Sequence, residues 1–236
     1  MIYFVGAGCG APDLVTVRGA ELLKAADVVI YAGSLVNPEL LGYTQAGCEI
    51  FNSAEMTLDQ VIEVMRRVHA AGGMVVRLHT GDPSLYGAVR EQMDRLQADK
   101  IPFAVCPGVS SFCGAAAALQ AEYTLPGVSQ TVIITRMAGR TPVPEGEGIR
   151  SLAAHGATMV IFLSAGMTET LQQELLDGGY APDTPAAIVY KATWPQEQVI
   201  RCTVGSLNQA ACDSGISNLA LITVGRFLGD DYALSK

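Results

Sequence analysis

The chain has 236 residues, of which half are hydrophobic and 16% are charged. A chain of this length buries roughly 70% or more of its unfolded surface, so it suits one large domain or two small ones and needs neither disulfides nor a metal to fold. The formal net charge of −8 argues against long-range attraction to nucleic acid or an anionic membrane.

The first half of the chain alternates short β-branched runs with segments of helical periodicity. Strands are predicted at residues 1–6, 27–31, 48–51, 74–79 and 103–106, and helices at residues 13–26, 57–73, 88–99 and 110–120. Thr57 is typical of a helix N-cap, and glycine follows that helix. The alternation predicts a mostly parallel sheet covered by helices.

Residues 121–130 interrupt the alternation with Pro, Gly and polar residues. We interpret them as a linker between an N-terminal α/β lobe, 1–120, and a C-terminal α/β lobe, 131–236. The second lobe has predicted strands at 131–136, 157–164, 186–190, 197–202 and 219–225, and helices near 148–155, 168–178 and 205–213. Two of its strands are joined by a Pro-containing turn, which predicts a mixed sheet. Two such lobes predict an active-site cleft between them.

The six cysteines show no C-x-x-C pair, and most lie in or beside apolar runs. We expect reduced, structural thiols and no metal site. The N-terminus has no signal-peptide pattern, and no apolar run reaches the length of about 18 residues needed to span a membrane. A cytoplasmic protein is expected.

Three loops with turn residues follow predicted strands one, four and five: GAGCGA at 6–11, HTGDPSLYG at 79–87 and CPGVSS at 106–111. In a parallel sheet such loops gather at the carboxyl edge, where open α/β sheets bind ligands. The first loop fits the dinucleotide pattern G-x-G-x-x-G/A, but the second strand lacks the acid that would hold a ribose. A glycine-lined pocket with one acid suits a nucleoside that carries positive charge.

Individual side chains in these loops allow two interpretations each. Asp82 is a carboxylate for a cationic ligand or a ribose, or it caps the following helix. His79 is a base, or a strand-end residue bonded to backbone. Ser110 and Ser111 cap a helix, contact a ligand, or do both.

Cations near an aromatic residue form a fourth group, in the second lobe. Arg136 and Arg140 follow one strand, and Lys191 and Trp194 lie near the end of another. Arg binds carboxylates bidentately and stacks on aromatic faces, so this group suits a large planar polycarboxylate. The alternative is a set of solvated surface cations with a packing tryptophan.

Residues 5–41 resemble the opening of the tetrapyrrole methylases, S-adenosylmethionine-dependent enzymes of the corrin and sirohaem pathways. Four stretches, at 31–41, 75–93, 131–147 and 189–204, narrow the resemblance to one methyltransferase of the corrin pathway. The resemblance extends from residue 2 to about residue 227. It implies two α/β lobes, a homodimer, a tetrapyrrole substrate, and S-adenosylmethionine as a co-substrate that leaves as S-adenosylhomocysteine.

The resemblance also implies roles for particular residues. The implied donor contacts are Gly6, Gly8, Cys9, Gly81, Asp82, Ser84, Ser110, Ser111, Phe162, Leu163, Ser164, Lys191, Ala192, Leu219, Ala220 and Leu221. The implied substrate contacts are Arg136, Arg140 and Trp194. Candidate catalytic residues are His79, Asp82 and Tyr86, but direct methyl displacement predicts no indispensable base.

One departure from the family pattern lies in the first loop, where Gly-Pro-Gly-Asp-Pro is usual. Here Cys9 replaces the proline and Ala11 replaces the acid. We expect that loop to face the tetrapyrrole, so the change bears on substrate affinity rather than on fold. Three other functions are considered: a sister methyltransferase acting at another ring position, a nicotinamide oxidoreductase, and a non-catalytic tetrapyrrole carrier.

Overall fold

A computed structural model describes residues 1–229 of the chain. Those residues form two compact α/β units, which divide after Gly114. Both are built from a five-stranded sheet and flanking helices.

The first unit contains a fully parallel sheet in the strand order β3-β2-β4-β1-β5. Its strands are β1 (Ile2–Gly6), β2 (Val28–Tyr31), β3 (Glu49–Asn52), β4 (Val75–His79) and β5 (Phe103–Cys106). Its helices are α1 (Val17–Ala25), α2 (Leu58–Ala70) and α3 (Arg90–Ala98), and α4 (Ser111–Leu119) begins at the end of the unit. Buried aliphatic and aromatic side chains cover both faces, which confirms the predicted parallel architecture.

The second unit contains a mixed sheet in the order β6-β7-β10-β8-β9. Its strands are β6 (Val132–Arg136), β7 (Thr158–Phe162), β8 (Pro185–Tyr190), β9 (Gln198–Thr203) and β10 (Ala220–Val224). β6 and β7 are parallel, whereas β10 runs antiparallel to β7 and β8. The helices α5 (Ile149–Ala153), α6 (Thr168–Asp177) and α7 (Leu207–Ser214) pack against it around a single apolar cluster.

Short 3-10 helices connect the strands and helices. They are Pro12–Leu14, Gly33–Leu35, Pro38–Tyr43, Ser53–Glu55, Ala165–Met167, Val204–Ser206 and Arg226–Leu228. No helix in the described part of either unit is long and apolar enough to cross a membrane.

Two predicted helix starts are wrong. The segment 13–26 opens with a separate 3-10 turn, and α1 begins only after Thr16, whose hydroxyl accepts a hydrogen bond from Gly19 N at 3.1 Å. The segment 88–99 becomes helical only at Arg90, because Ala88 has a φ of +49° that a right-handed helix does not allow. The helix α2 is capped as predicted, by a reciprocal pair of hydrogen bonds between Thr57 and Gln60.

Candidate functional site

Three loops meet at the carboxyl edge of the first sheet. Gly8 N donates to Gly81 O at 3.3 Å, and Gly81 N donates to Gly8 O at 3.0 Å. The Ala7 amide also donates to the His79 carbonyl at 2.7 Å. The predicted convergence is confirmed, because β1 lies between β4 and β5 and all three strands end at the same edge.

Glycines allow the closest approaches between these loops. A Cβ atom added to Gly6 would lie 2.5 Å from Gly108 Cα and 2.6 Å from the Gly81 oxygen. Gly81 itself has a φ of +57°, a conformation that costs glycine little. The three loops are therefore packed backbone against backbone at this edge.

Asp82 ties two of the loops together. Its Oδ1 atom accepts hydrogen bonds from Ser84 N at 2.8 Å and Ser84 Oγ at 2.5 Å, and its Oδ2 atom accepts one from Gly108 N at 2.8 Å. Partial burial acts to raise the pKa of this carboxyl, but the bonds from Ser84 and Gly108 outweigh it and lower the pKa. The alternative that Asp82 caps the next helix is wrong, since Val89 is the N-cap of α3 and provides no side-chain cap.

His79 ends β4 and is 8% exposed. Burial, and secondarily the nearby Arg77 guanidinium, lower the pKa of the imidazole to about 4, while the backbones of Thr80 and Gly87 act in the opposite direction. The imidazole is therefore uncharged at neutral pH. Its Nδ1 atom is buried and has no hydrogen-bond partner among residues 1–229. A group with this pKa is a weak base at neutral pH.

The other predicted residues of the first unit lie around the same edge. Ser110 is buried immediately before α4, and Ser111 is the first residue of that helix. Cys9 is 7% exposed, so the thiol of this unusual first loop is sheltered from solvent. Tyr86 is 41% exposed, so the second loop carries it at the surface, and its φ is +55°.

Asn37 supports the first loop, and sequence reasoning did not single it out. The side chain is 5% exposed; its Nδ2 donates to Gly10 O at 3.0 Å, and its Oδ1 accepts from Glu39 N at 3.0 Å. The signal was present, because Asn37-Pro38 lies within a stretch specific to the family resemblance. A polar residue before a helix-starting proline is, however, usually read only as a cap.

In the second unit, the predicted donor segments share one edge of the mixed sheet. Phe162 ends β7, Lys191 follows β8, and Leu219 precedes the antiparallel strand β10. The Lys191 amide donates to the Leu219 carbonyl at 2.9 Å, which joins two of these segments directly. Ala192 is buried beside Lys191, and Ala220 and Leu221 are the first residues of β10.

Ser164 fixes the third segment of that edge. It is fully buried, its Oγ atom donates to Phe162 O at 2.6 Å, and it accepts a hydrogen bond from Met137 N at 2.9 Å. Its hydroxyl therefore shapes the turn after β7. The neighbouring Leu163 is 64% exposed.

Backbone strain is concentrated at these segments. Leu163, Lys191, Thr193 and Leu219 all have φ between +44° and +67°, although none is glycine. Non-glycine residues with positive φ store free energy that the surrounding structure must offset, and they cluster at functional sites. The pattern is an independent indication that this edge is a site.

The predicted substrate-binding residues differ in how far their side chains are already hydrogen-bonded within the protein. Both terminal nitrogens of Arg136 are used: Nη1 donates to the carbonyls of Met137 and Thr141 at 3.0 Å, and Nη2 donates to Pro142 O at 2.9 Å. Arg136 thus holds its own loop in place. Arg140, four residues later, is exposed.

Lys191 and Trp194 form a cation–π contact. The Lys191 ammonium lies 5.2 Å from the Trp194 ring centroid and 5.6 Å from that of Tyr190. This contact keeps a positive charge beside a flat aromatic surface. Within residues 1–229, no group of three or more His, Cys, Asp or Glu side chains is arranged to hold a metal ion.

Comparison with known proteins places these features in a family. Residues 1–208 match the model of the tetrapyrrole (corrin/porphyrin) methylases. A cobalt-precorrin-4 C(11)-methyltransferase of Methanocaldococcus jannaschii is 50% identical over 236 residues, which is 100% of this chain and 91% of that protein.

Solved structures agree with this result. A cobalt precorrin-4 methyltransferase superposes with a TM-score of 0.94 and 46% identity, over 97% of this chain and 95% of that one. A uroporphyrin-III C-methyltransferase of Thermus thermophilus, solved with S-adenosylhomocysteine, superposes with a TM-score of 0.79 and 27% identity, over 96% of this chain and 98% of that one.

Proposed function

The chain belongs to the tetrapyrrole (corrin/porphyrin) methylase family, and we propose that it methylates C11 of precorrin-4 or cobalt-precorrin-4. It is an S-adenosylmethionine-dependent methyltransferase of cobalamin biosynthesis. The observation that carries this assignment is 50% identity along the whole chain with an enzyme of that activity.

The methyl donor is S-adenosyl-L-methionine, and the carboxyl edge of the first sheet fits it. The contacts that we assign there are Gly6, Gly8, Cys9, Gly81, Asp82, Ser84, Ser110 and Ser111. Gly6 is supported by its close backbone approaches, since a side chain there would meet the backbone of Gly108 and Gly81 and push the three loops apart. The acid of this edge, Asp82, accepts hydrogen bonds from Ser84 and Gly108 and so holds the second and third loops together.

In the second unit we assign donor contacts to the strained segments. These are Phe162, Leu163, Ser164, Lys191, Ala192, Leu219, Ala220 and Leu221. The positive φ at Leu163, Lys191 and Leu219 supports this assignment. Most sequences can form an unstrained turn, and strained backbone is found mainly at functional sites. The main chain, rather than a set of charged side chains, is the surface offered.

The tetrapyrrole carries carboxylates, and we assign their recognition to Arg140 and to the Lys191–Trp194 pair. The ammonium of Lys191 lies beside two aromatic rings, those of Tyr190 and Trp194. Arg136 contributes by fixing the loop that carries Arg140. Any direct contact between Arg136 and the tetrapyrrole would use the N–H groups that are not bonded to these carbonyls.

Catalysis on this account rests on positioning. Bound S-adenosylmethionine would supply an activated methyl group: a nucleophilic ring carbon would form a bond to it while the methyl–sulfur bond breaks, and S-adenosylhomocysteine would leave. The protein holds the reactants in line, and such alignment is worth on the order of 7–11 kcal/mol of the barrier. His79 is uncharged and largely enclosed, so it suits a hydrogen-bonding role better than that of an indispensable base. Tyr86, the remaining candidate, has its ring at the surface.

We also propose that the protein works as a cytoplasmic homodimer. Exposed apolar residues such as Val17 and Val105 offer surface that a second copy could cover. Light scattering of the purified protein would measure the mass of the assembly.

Calorimetric titration with S-adenosylhomocysteine tests the donor site, with NADH titrated in parallel. We expect micromolar binding of S-adenosylhomocysteine, equivalent to about −8 kcal/mol, and no heat from NADH. Binding of NADH alone would favour the nicotinamide oxidoreductase. The absence of binding heat with both ligands would favour a tetrapyrrole carrier without a donor site.

A further inference from the structure

Arg77 is a buried cation in the middle of β4. The residue is 6% exposed, and burial lowers the pKa of its guanidinium to about 10, so it remains charged at neutral pH. Nε donates to Gln92 Oε1 at 3.2 Å, and Nη1 donates to the carbonyls of Ile30 and Leu78 at 3.2 and 3.3 Å. No carboxylate among residues 1–229 lies within ion-pair distance of it.

A buried guanidinium without an acid partner is unusual. Charged residues are almost never fully buried unless they are paired. Here a neutral amide on α3 occupies the position where a carboxylate would compensate the charge. Gln92 is itself 7% exposed and also donates to the Ala88 carbonyl at 3.4 Å, so its amide is oriented by the chain around it.

His79 lies two residues further along the same strand, and therefore on the same face of the sheet as Arg77. Both side chains are more than nine-tenths buried. The Nδ1 atom of His79 has no hydrogen-bond partner in the described part of the chain. An enclosed imidazole thus faces an uncompensated positive charge at the end of the strand that leads into the Gly81–Asp82 loop.

Other charged groups around this strand are engaged elsewhere. On α2 and α3, Arg66 pairs with Asp99, Arg95 with Asp59 and Glu91, and Arg90 with Asp94; Arg67 of α2 pairs with Glu49 of β3. Glu63 of α2 lies near Arg66. Asp82 is occupied by Ser84 and Gly108. Among residues 1–229, Arg77 is the charged group that acts on the pKa of His79.

We propose that Arg77 is a positioning residue whose uncompensated charge, retained because its partner is Gln92 rather than an acid, adds to the effect of burial in keeping His79 an uncharged imidazole beside the donor loop. This deepens the proposed function and rests on it for its purpose. S-adenosylmethionine is a sulfonium cation, and a second mobile cation at its edge would repel it. The charge of Arg77 is less exposed to the ligand, because the guanidinium is enclosed and bonded to two carbonyl oxygens.

The test is NMR titration of the histidine ring protons in the full-length protein. The chain has three histidines. The ring signal that is missing from the spectrum of His79→Gln is the signal of His79. In the wild type, the pKa of His79 should be near 4, well below that of a solvated histidine. Gln92→Glu, which gives Arg77 a carboxylate, should raise it by about one unit or more, whereas Gln92→Met, which adds no charge, should not.

A second variant, Arg77→Met, removes the cation and should raise the pKa of His79 in the same direction. A wild-type His79 that titrates near its ordinary value of about 6.5 would overturn the proposal. So would equal pKa values in Gln92→Glu and Gln92→Met. These readouts need no bound ligand, so they stand even if donor binding fails.

Ligand titration then tests whether the uncharged imidazole of His79 favours binding of the sulfonium cation. The ratio of the Kd for S-adenosylmethionine to that for S-adenosylhomocysteine should change little between pH 5 and 8 in the wild type. In Gln92→Glu it should rise as the pH falls, because only the former ligand carries the sulfonium charge. A ratio that changes equally in both proteins would contradict the electrostatic role. Failure of both ligands to bind would instead refute the proposed function.

Discussion

Replacing Gly6 with alanine should lower both the stability of the protein and its affinity for S-adenosylhomocysteine. The added Cβ would lie 2.5 Å from Gly108 Cα and 2.6 Å from Gly81 O, and each of these is backbone that cannot rotate away. The first loop must therefore move relative to the other two. Overpacking of this kind typically costs about 1–3 kcal/mol. For a chain of this size that lowers Tm by roughly 2–4 °C per kcal/mol.

The affinity should fall by about tenfold or more, which corresponds to a loss of about 1.4 kcal/mol in binding. Gly42→Ala is the matched control: no atom lies within 4 Å of its added Cβ, and its φ is not positive. That variant should keep the wild-type Tm and Kd. If Gly6→Ala also kept both, the close packing of the three loops would have no part in donor binding.

Asp82→Ala should have an effect of similar size for a different reason. It removes one carboxylate that accepts three hydrogen bonds, and it leaves the Gly108 amide without its acceptor. A single hydrogen bond to a charged group is worth about 1.5–3 kcal/mol. Because Asp82 is partly exposed to solvent, which weakens each of its bonds, we expect the loss of all three together to cost no more than a few kcal/mol. We expect a lower Tm without ligand and roughly tenfold weaker binding of S-adenosylhomocysteine.

The pH dependence identifies the carboxylate as the cause. Because the pKa of Asp82 is lowered on folding, its stabilising contribution is present above the unfolded pKa of about 3.9 and is lost as pH falls through the folded pKa. The stability difference between the wild type and Asp82→Ala should therefore be full at pH 7 and shrink in strong acid. The control is Asp59→Ala, since Asp59 is an exposed carboxylate that pairs with Arg95. An unchanged Tm in Asp82→Ala would show that the three bonds contribute nothing to loop position.

The convergence of the glycine loops could be predicted because it follows from topology. A βαβ alternation gives parallel strands, and parallel strands bring their following loops to one edge. The roles within that edge were harder to predict. Asp82 suggested a ligand or a helix cap, whereas its Oδ2 atom binds Gly108, 26 residues away. A contact of that separation leaves no local pattern in a sequence.

Other features were hidden for related reasons. Leu163, Lys191 and Leu219 adopt positive φ, but their residue types do not predict it, because tertiary packing rather than glycine imposes that conformation. Arg136 is predicted to bind substrate, and the structure shows a further contact that the sequence did not reveal: its terminal nitrogens donate to carbonyls of the following loop. Arg77 looked like a strand residue in an apolar run. Its significance depends on Gln92, which helix α3 brings to it.

The first loop, which departs from the family pattern, is held by contacts from two other segments. Cys9 and Ala11 replace a proline and an acid, and the loop could be expected to be less constrained. Here the side chain of Asn37 bonds to Gly10 O at 3.0 Å, and the bridge between Gly8 and Gly81 adds two backbone bonds. These contacts hold the loop without the proline.

The most direct test of the account is the position of the transferred methyl group. The purified protein is incubated with precorrin-4 or cobalt-precorrin-4 and with S-adenosylmethionine carrying a ¹³C-labelled methyl group, and the product is analysed by NMR. The account predicts one labelled methyl on C11 and an equal amount of S-adenosylhomocysteine. A label on another ring carbon, or tetrapyrrole binding without any methyl transfer, would contradict it.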